Sequence, residues 1–199
     1  MEIIFSKNKI ELKKELNNLD KFVIDFISIL NKLNIEYVLV SGYVSILFGR
    51  RRSSEDIDLF IEKINFDKFS ELWDILNKQF ECLNSKDIKD SYYNYLTENC
   101  AIRFSRKNEF IPNMEVKFPK NDLDIWTLKN KKEVILNNKK IFISPMELQI
   151  PFKIFLGSEK DIEDARYLYN IFKNKIDINL LKEFNRKLNI EDLFNKYLR

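Results

Sequence analysis

The 199-residue chain contains no histidine. That absence removes Ser-His and Cys-His nucleophile activation, His-ligated zinc and an imidazole general base. Any catalysis has to run on carboxylates, Lys, Arg, Tyr or Ser. Cysteine is nearly absent too: Cys82 and Cys100 are too few and too far apart for a thiolate metal cluster. A reduced, cytoplasmic setting is the default for such a chain. No apolar run reaches about 18 residues and nothing resembles a secretory leader, so no membrane partner is expected. A large excess of one charge is also missing. The net charge of +3 describes a mixed, solvated surface, not the strongly basic balance of a dedicated DNA-binding protein.

What is present supports a substantial core. The chain is 45% hydrophobic with 17 Phe, and its length suits one domain, or one domain with a helical appendage. Met1 to Phe5 reads as a short strand or a frayed start. From about Asn8 to Leu33, apolar residues from Ile10 through Leu16, Phe22, Phe26 and Leu30 recur at helical spacing, with Asn34 placed to stop the helix. Tyr37–Val40 reads as a buried strand, Tyr43–Phe48 as a short helix closed by Gly49, and Asp56–Ile61 as a second strand. A helix is expected over about Asp67–Gln79 and a Tyr-rich one over Asp87–Leu96. Cys100–Ser105 with Asn113–Phe118, and Glu133–Leu136 with Lys140–Ile143, read as hairpins. Beyond Ser144 the pattern is helical. Ser144-Pro145-Met146-Glu147 reads as a capping box, Gly157-Ser158 separates two helices, and Asp177 caps a third.

The chemistry concentrates between Tyr37 and Glu62. Asp56 and Asp58 stand at i and i+2 on a strand, so both carboxylates project from one face while Ile57 and Leu59 turn into the core. Adjacent carboxylates repel, and a shared cation relieves that repulsion. Oxygen ligands from one or two carboxylates suit Mg2+ or Mn2+. Gly42 leaves the preceding turn free of a Cβ, which allows phosphate oxygens close to the backbone. Ser41 can add a hydroxyl, and Arg50 or Arg52 can clamp a phosphate from the loop between them. A third acid is expected from a neighbouring strand. Glu115, flanked by Met114 and Val116, is the candidate, with Lys117 on the same face. Asp122 and Asp124 are alternatives that look more like a loop and a helix cap.

Ser41-Gly42, with Asp56-Ile57-Asp58 beginning fourteen positions after Gly42, resembles the signature of the nucleotidyltransferase superfamily with the polymerase-beta-type fold. The wider pattern, with Phe48-Gly49-Arg50 and Arg52-x-Ser54-Glu55-Asp56, is similar to the AbiEii-like branch of small stand-alone nucleotidyltransferases. Ser144-Pro145, Lys153 and Lys160-Asp161-Ile162-Glu163-Asp164 resemble the same branch. The likeness runs over about residues 35–172. Ser41 stands where the pattern more often has glycine, and Glu115 where it more often has Asp.

The resemblance implies an α/β (α+β) fold, a mixed sheet flanked by helices. Residues 1–143 would form the core and 144–199 a helical portion packed on it. It also implies a metal-dependent transfer of a nucleoside monophosphate from an NTP to a hydroxyl of tRNA, protein or a small molecule, and a cognate toxin or antitoxin partner. Asp56, Asp58 and Glu115 would be the catalytic and metal-binding acids. Ser41, Gly42, Arg50, Arg52, Ser54, Lys153 and Asp161 would serve the nucleotide side. A non-catalytic nucleotide- or partner-binding member of the same fold is the alternative. Lysine-rich segments at Lys129–Lys132, Lys139-Lys140 and Lys173–Lys175 suit a nucleic-acid backbone or a solvated surface equally.

Overall fold

Nine strands hydrogen-bond into one mixed sheet in a computed structural model that describes residues 1–6 and 9–198. In chain order they are β1 (Glu2–Phe5), β2 (Ile10–Lys13), β3 (Tyr37–Leu39), β4 (Asp56–Ile61), β5 (Phe80–Cys82), β6 (Ile102–Arg106), β7 (Asn113–Lys117), β8 (Lys132–Leu136) and β9 (Lys139–Ile143). Across the sheet the order is β1-β2-β8-β9-β3-β4-β7-β6-β5. Around it pack α1 (Asn18–Lys32), α2 (Gly42–Leu47), α3 (Phe66–Leu76), α4 (Asp122–Lys129), α5 (Met146–Leu156), α6 (Glu159–Phe172), α7 (Ile178–Lys187) and α8 (Glu191–Leu198). This is the expected α/β architecture with helices after the last strand. Among the described residues no helix is long and apolar enough to cross a membrane.

The middle of the sheet follows from the sequence pattern. Tyr37, Val38 and Leu39 are all buried, as a continuous apolar run between two covered faces requires. In β4 the alternation is strict: Ile57, Leu59 and Ile61 are fully buried, while Asp56 is exposed and Asp58 half-buried. The β8–β9 hairpin turns on Asn137 and Asn138, with φ of 45° and 67°, a left-handed pair suited to a two-residue loop.

Several expectations are corrected. The helix expected from about Asn8 begins in part outside the described residues, and Ile10–Lys13 within them is a strand, parallel to β8. Helix α1 starts only after Asn17, whose side chain accepts from the Asp20 amide while Asp20 accepts from the Asn17 amide. Four residues with Ile10 and Leu12 apolar fit either period, and pairing with β8 decides for strand. Phe80, just beyond the helix expected over about Asp67–Gln79, opens β5 against β6. The Tyr-rich segment Asp90–Leu96 is π-helical. Ser144 caps nothing, because its hydroxyl donates to Gln149 Oε1 at 2.6 Å. Pro145 itself stands at the N-cap of α5.

One buried link fixes α2 against the rest. Asp20, fully buried at the start of α1, accepts from Tyr43 OH and Lys14 Nζ, each at 2.9 Å. With Tyr43 held this way, the first turn of α2 lies at a set place beside β4.

Candidate active site

Strand pairing builds the acid face. β4 runs parallel to β7 in a register that sets Asp56 opposite Asn113, Asp58 opposite Glu115 and Phe60 opposite Lys117. β7 in turn pairs antiparallel with β6, and Arg103 lies directly across from Glu115. Paired residues and their i+2 neighbours share a face. Asp56, Asp58, Glu115, Lys117 and Arg103 therefore project to the same side of the sheet.

These charges are closely interlocked. Lys117 Nζ lies 2.7 Å from Asp58 Oδ1 and 2.9 Å from Glu115 Oε2. Glu115 Oε1 is in contact with the Arg103 guanidinium. Burial works to raise the Glu115 pKa, but Lys117 and then Arg103 outweigh it and leave it below the ordinary 4.5. Burial likewise opposes the charge on Lys117, and Asp58 and Glu115 outweigh it, holding its pKa above 10.5. Asp56 forms no ion pair among the described residues. No group of three acids among those residues closes into an ion-holding cluster, and both oxygens of Glu115 carry side-chain cations.

Beside the acids lies the Ser41–Gly42 turn, tied to them through the backbone. The Val40 amide donates to the Asp58 carbonyl at 3.0 Å, and the Ser54 hydroxyl donates to the Asp56 carbonyl at 3.0 Å. Gly42 allows close approach: a Cβ there would overlap the Arg52 guanidinium and push that side chain aside. Ser41 has φ 61° and ψ −131°, a region that glycine enters without strain and other residues do not. Gln149 from α5 supports it on both sides. Its Oε1 accepts from the Ser41 amide at 3.3 Å and its Nε2 donates to the Ser41 carbonyl at 2.8 Å.

The arginine loop is anchored from below. Asp164 on α6, fully buried, receives Arg50 Nε at 2.7 Å and has Arg52 Nη2 and Lys153 Nζ each at 3.1 Å. Arg50 also reaches Glu163 at 2.5 Å, and Lys153 reaches Asp161 at 2.6 Å. Lys153 is 2% exposed. Its amine is committed to α6, so it and Asp161 belong to the network beneath the loop, not to the acid face. Burial works to raise the Asp161 pKa, but Lys153 and Ser158 outweigh it and leave it below 3.8. Asp122 and Asp124 sit in the first turn of α4, which Asn121 caps by accepting from the Asp124 amide.

The structure thus brings Asp56, Asp58 and Glu115 to one face, with Ser41, Gly42, Arg52 and Ser54 beside it. Arg50, Lys153 and Asp161 form the supporting layer. Two residues escaped the sequence reading. Arg103 gave no signal short of the β6–β7 register. Gln149 gave one, as a lone amide among Leu148, Ile150 and Phe152.

No family model matches the chain, and no curated protein does. Solved structures do. A nucleotidyltransferase-like protein from Paracoccidioides brasiliensis matches with a TM-score of 0.53 at 16% identity, over 92% of this chain and 96% of that one. ANT(2'')-Ia, in complex with adenylyl-2''-tobramycin, gives 0.55 at 12% identity over 87% and 98%. The lincosamide antibiotic adenylyltransferase LnuA, lincomycin-bound, gives 0.53 at 14% over 79% and 99%. The fold is that of the nucleotidyltransferases. In this sheet β4 and β7 are neighbours in the order β3-β4-β7-β6, and the Ser41–Gly42 turn leads from β3 into α2.

Proposed function

We propose that the chain is a metal-dependent nucleotidyltransferase that moves a nucleoside monophosphate from an NTP to an acceptor hydroxyl. The observation that carries this reading is the register of β4 and β7. It sets Glu115 beside Asp58 on the face that also bears Asp56, next to a glycine turn packed against Arg52.

The residues fit a hard divalent cation. Asp56 is exposed and without an ion pair among the described residues, and Asp58 has one oxygen beyond the one that meets Lys117. These two would hold Mg2+ or Mn2+. When bound, such an ion neutralises phosphate charge and orients an in-line attack. The Ser41–Gly42 backbone and the Arg52 guanidinium would face the phosphates of the NTP. In the transfer, the acceptor oxygen forms a bond to the α-phosphorus while the bond to the β-phosphate bridging oxygen breaks and pyrophosphate leaves. The hydroxyl proton passes to a carboxylate of the acid face, with Glu115 the candidate. Lys117 and Arg103 keep Glu115 ionised, and one of the two pairs would have to open for Glu115 to take that proton.

Adenylylated tobramycin in one neighbour and bound lincomycin in another support a small hydroxylated acceptor. The sequence resemblance to the AbiEii-like branch supports tRNA or protein and a toxin–antitoxin setting. The test covers all three. Purified protein with Mg2+ and each labelled NTP is presented with small-molecule, RNA and protein fractions. Label should transfer from at least one NTP, and Asp58→Ala should abolish it. Failure with all four NTPs across all fractions overturns the enzymatic reading. It would leave the second one, a nucleotide- or partner-binding member, which the double ion-pairing of Glu115 favours.

A further inference from the structure

Nucleotidyl-transfer sites of the two-ion kind place two divalent cations about 3.5–4 Å apart, each bridging carboxylates and phosphate oxygens. Here the position between Asp58 and Glu115 is already taken by a side chain. Lys117 Nζ bridges Asp58 Oδ1 at 2.7 Å and Glu115 Oε2 at 2.9 Å. The remaining oxygen of Glu115 is held by Arg103. A divalent ion between Asp58 and Glu115 would have to expel the ammonium from both acids. Asp56 and the second oxygen of Asp58 are not so engaged.

Resting on the nucleotidyltransferase reading, we propose that Lys117 is a built-in cation of the site. Its ammonium takes the place of one divalent ion between Asp58 and Glu115, so the acid face binds a single divalent ion, on Asp56 and Asp58.

Three features of the fold support this. Lys117 is placed by backbone register, opposite Phe60 and two residues beyond Glu115, so its reach to both acids needs no loop rearrangement. The bridge is partly shielded: side-chain exposure is 29% for Lys117, 25% for Asp58 and 9% for Glu115. Charge also balances better with one ion. Three acids against Lys117 and Arg103 leave one net negative charge, which a single divalent ion converts to one positive, ready for phosphate. A second ion would leave three positive charges on one small surface. The ammonium also has a third N–H beyond the two carboxylates, free for a substrate oxygen.

The test is the number of Mn2+ ions bound per full-length chain, read by electron paramagnetic resonance of free Mn2+ with no nucleotide present. Wild type should bind one, and Lys117→Met two. Arg103→Met, which frees an oxygen of Glu115 but leaves the ammonium in place, should still bind one. Asp56→Asn should bind none. Circular dichroism of each variant confirms that it is folded, and if Lys117→Met does not fold, Lys117→Gln takes its place. Two ions on wild type, or equal stoichiometry in wild type and the Lys117 variant, overturns the proposal and leaves nucleotidyl transfer standing. Two ions on Arg103→Met also overturns it, because relief of positive charge at any point would then suffice. No Mn2+ on any form also overturns it, whereas metal-dependent transfer of label is decided separately, with the NTP present.

Discussion

Ser41 carries the strain of the site at a single residue. Its φ of 61° with ψ of −131° costs a non-glycine residue roughly 1–3 kcal/mol. The Gln149 side chain offsets part of that cost by bonding both the amide and the carbonyl of Ser41, and the Ser144 hydroxyl orients Gln149 in turn. Ser41→Gly should therefore raise stability by about 1 kcal/mol, the strain relief exceeding the entropy glycine adds to the unfolded chain. Gln149→Ala should cost about 2 kcal/mol alone, through lost hydrogen bonds and an exposed strain. In the Ser41→Gly background it should cost less, because the strained turn it supports is gone. Urea unfolding of the four proteins measures this as a double-mutant cycle, and strict additivity would show that Gln149 does not act through Ser41.

At the scale of elements, the arginine loop and α6 are joined around one carboxylate. Asp164 is fully buried and faces Arg50, Arg52 and Lys153. Replacing it by Asn leaves three cations around a neutral amide in a desolvated place. Breaking a buried pair by removing one partner costs on the order of 3–5 kcal/mol. Asp164→Asn should fall in that range, and Glu163→Gln, whose pair with Arg50 is half exposed, should cost under about 1 kcal/mol. Equal losses in thermal or urea unfolding would contradict this arrangement. The same contrast shows what the sequence could and could not reveal. Asp56 and Asp58 were legible because period-2 alternation sends both to one face. Glu115 was legible because Met114 and Val116 mark its strand. The placement of Lys153 against Asp161 and Asp164 was not, since a lysine in an apolar helix reads equally as a ligand or as a buried partner. Only the packing of α5 on α6 decides. Elements of three or four residues such as β2 and β5 were missed, because so short a window fits both periods and long-range pairing settles it.

Across the whole molecule, the sheet and the helices that follow it share their interior. Phe172 of α6 packs edge-on against Phe48 at 4.8 Å and Phe5 at 5.4 Å. Trp126 of α4 meets Phe184 of α7 at 4.7 Å, and Tyr167 OH donates to the Phe48 carbonyl at 3.0 Å. One contiguous cluster of buried side chains runs from Leu12 through Phe69 and Ile154 to Phe194. We propose that residues 1–143 and 144–199, distinguishable by pattern, unfold as one cooperative unit. The two tryptophans report on different places: Trp73 packs against Phe69 and Phe104, far along the chain from α7, while Trp126 senses the contact with α7. Trp73→Phe and Trp126→Phe each leave one reporter. Urea unfolding followed by the remaining tryptophan and by far-UV circular dichroism should give the same midpoint and slope for both signals in each variant. If α5–α8 were an independent unit, Trp126 would lose its α7 contact at a lower urea concentration than that at which Trp73 is exposed. The arginine loop would then come loose from Asp164 while the acid face stayed folded.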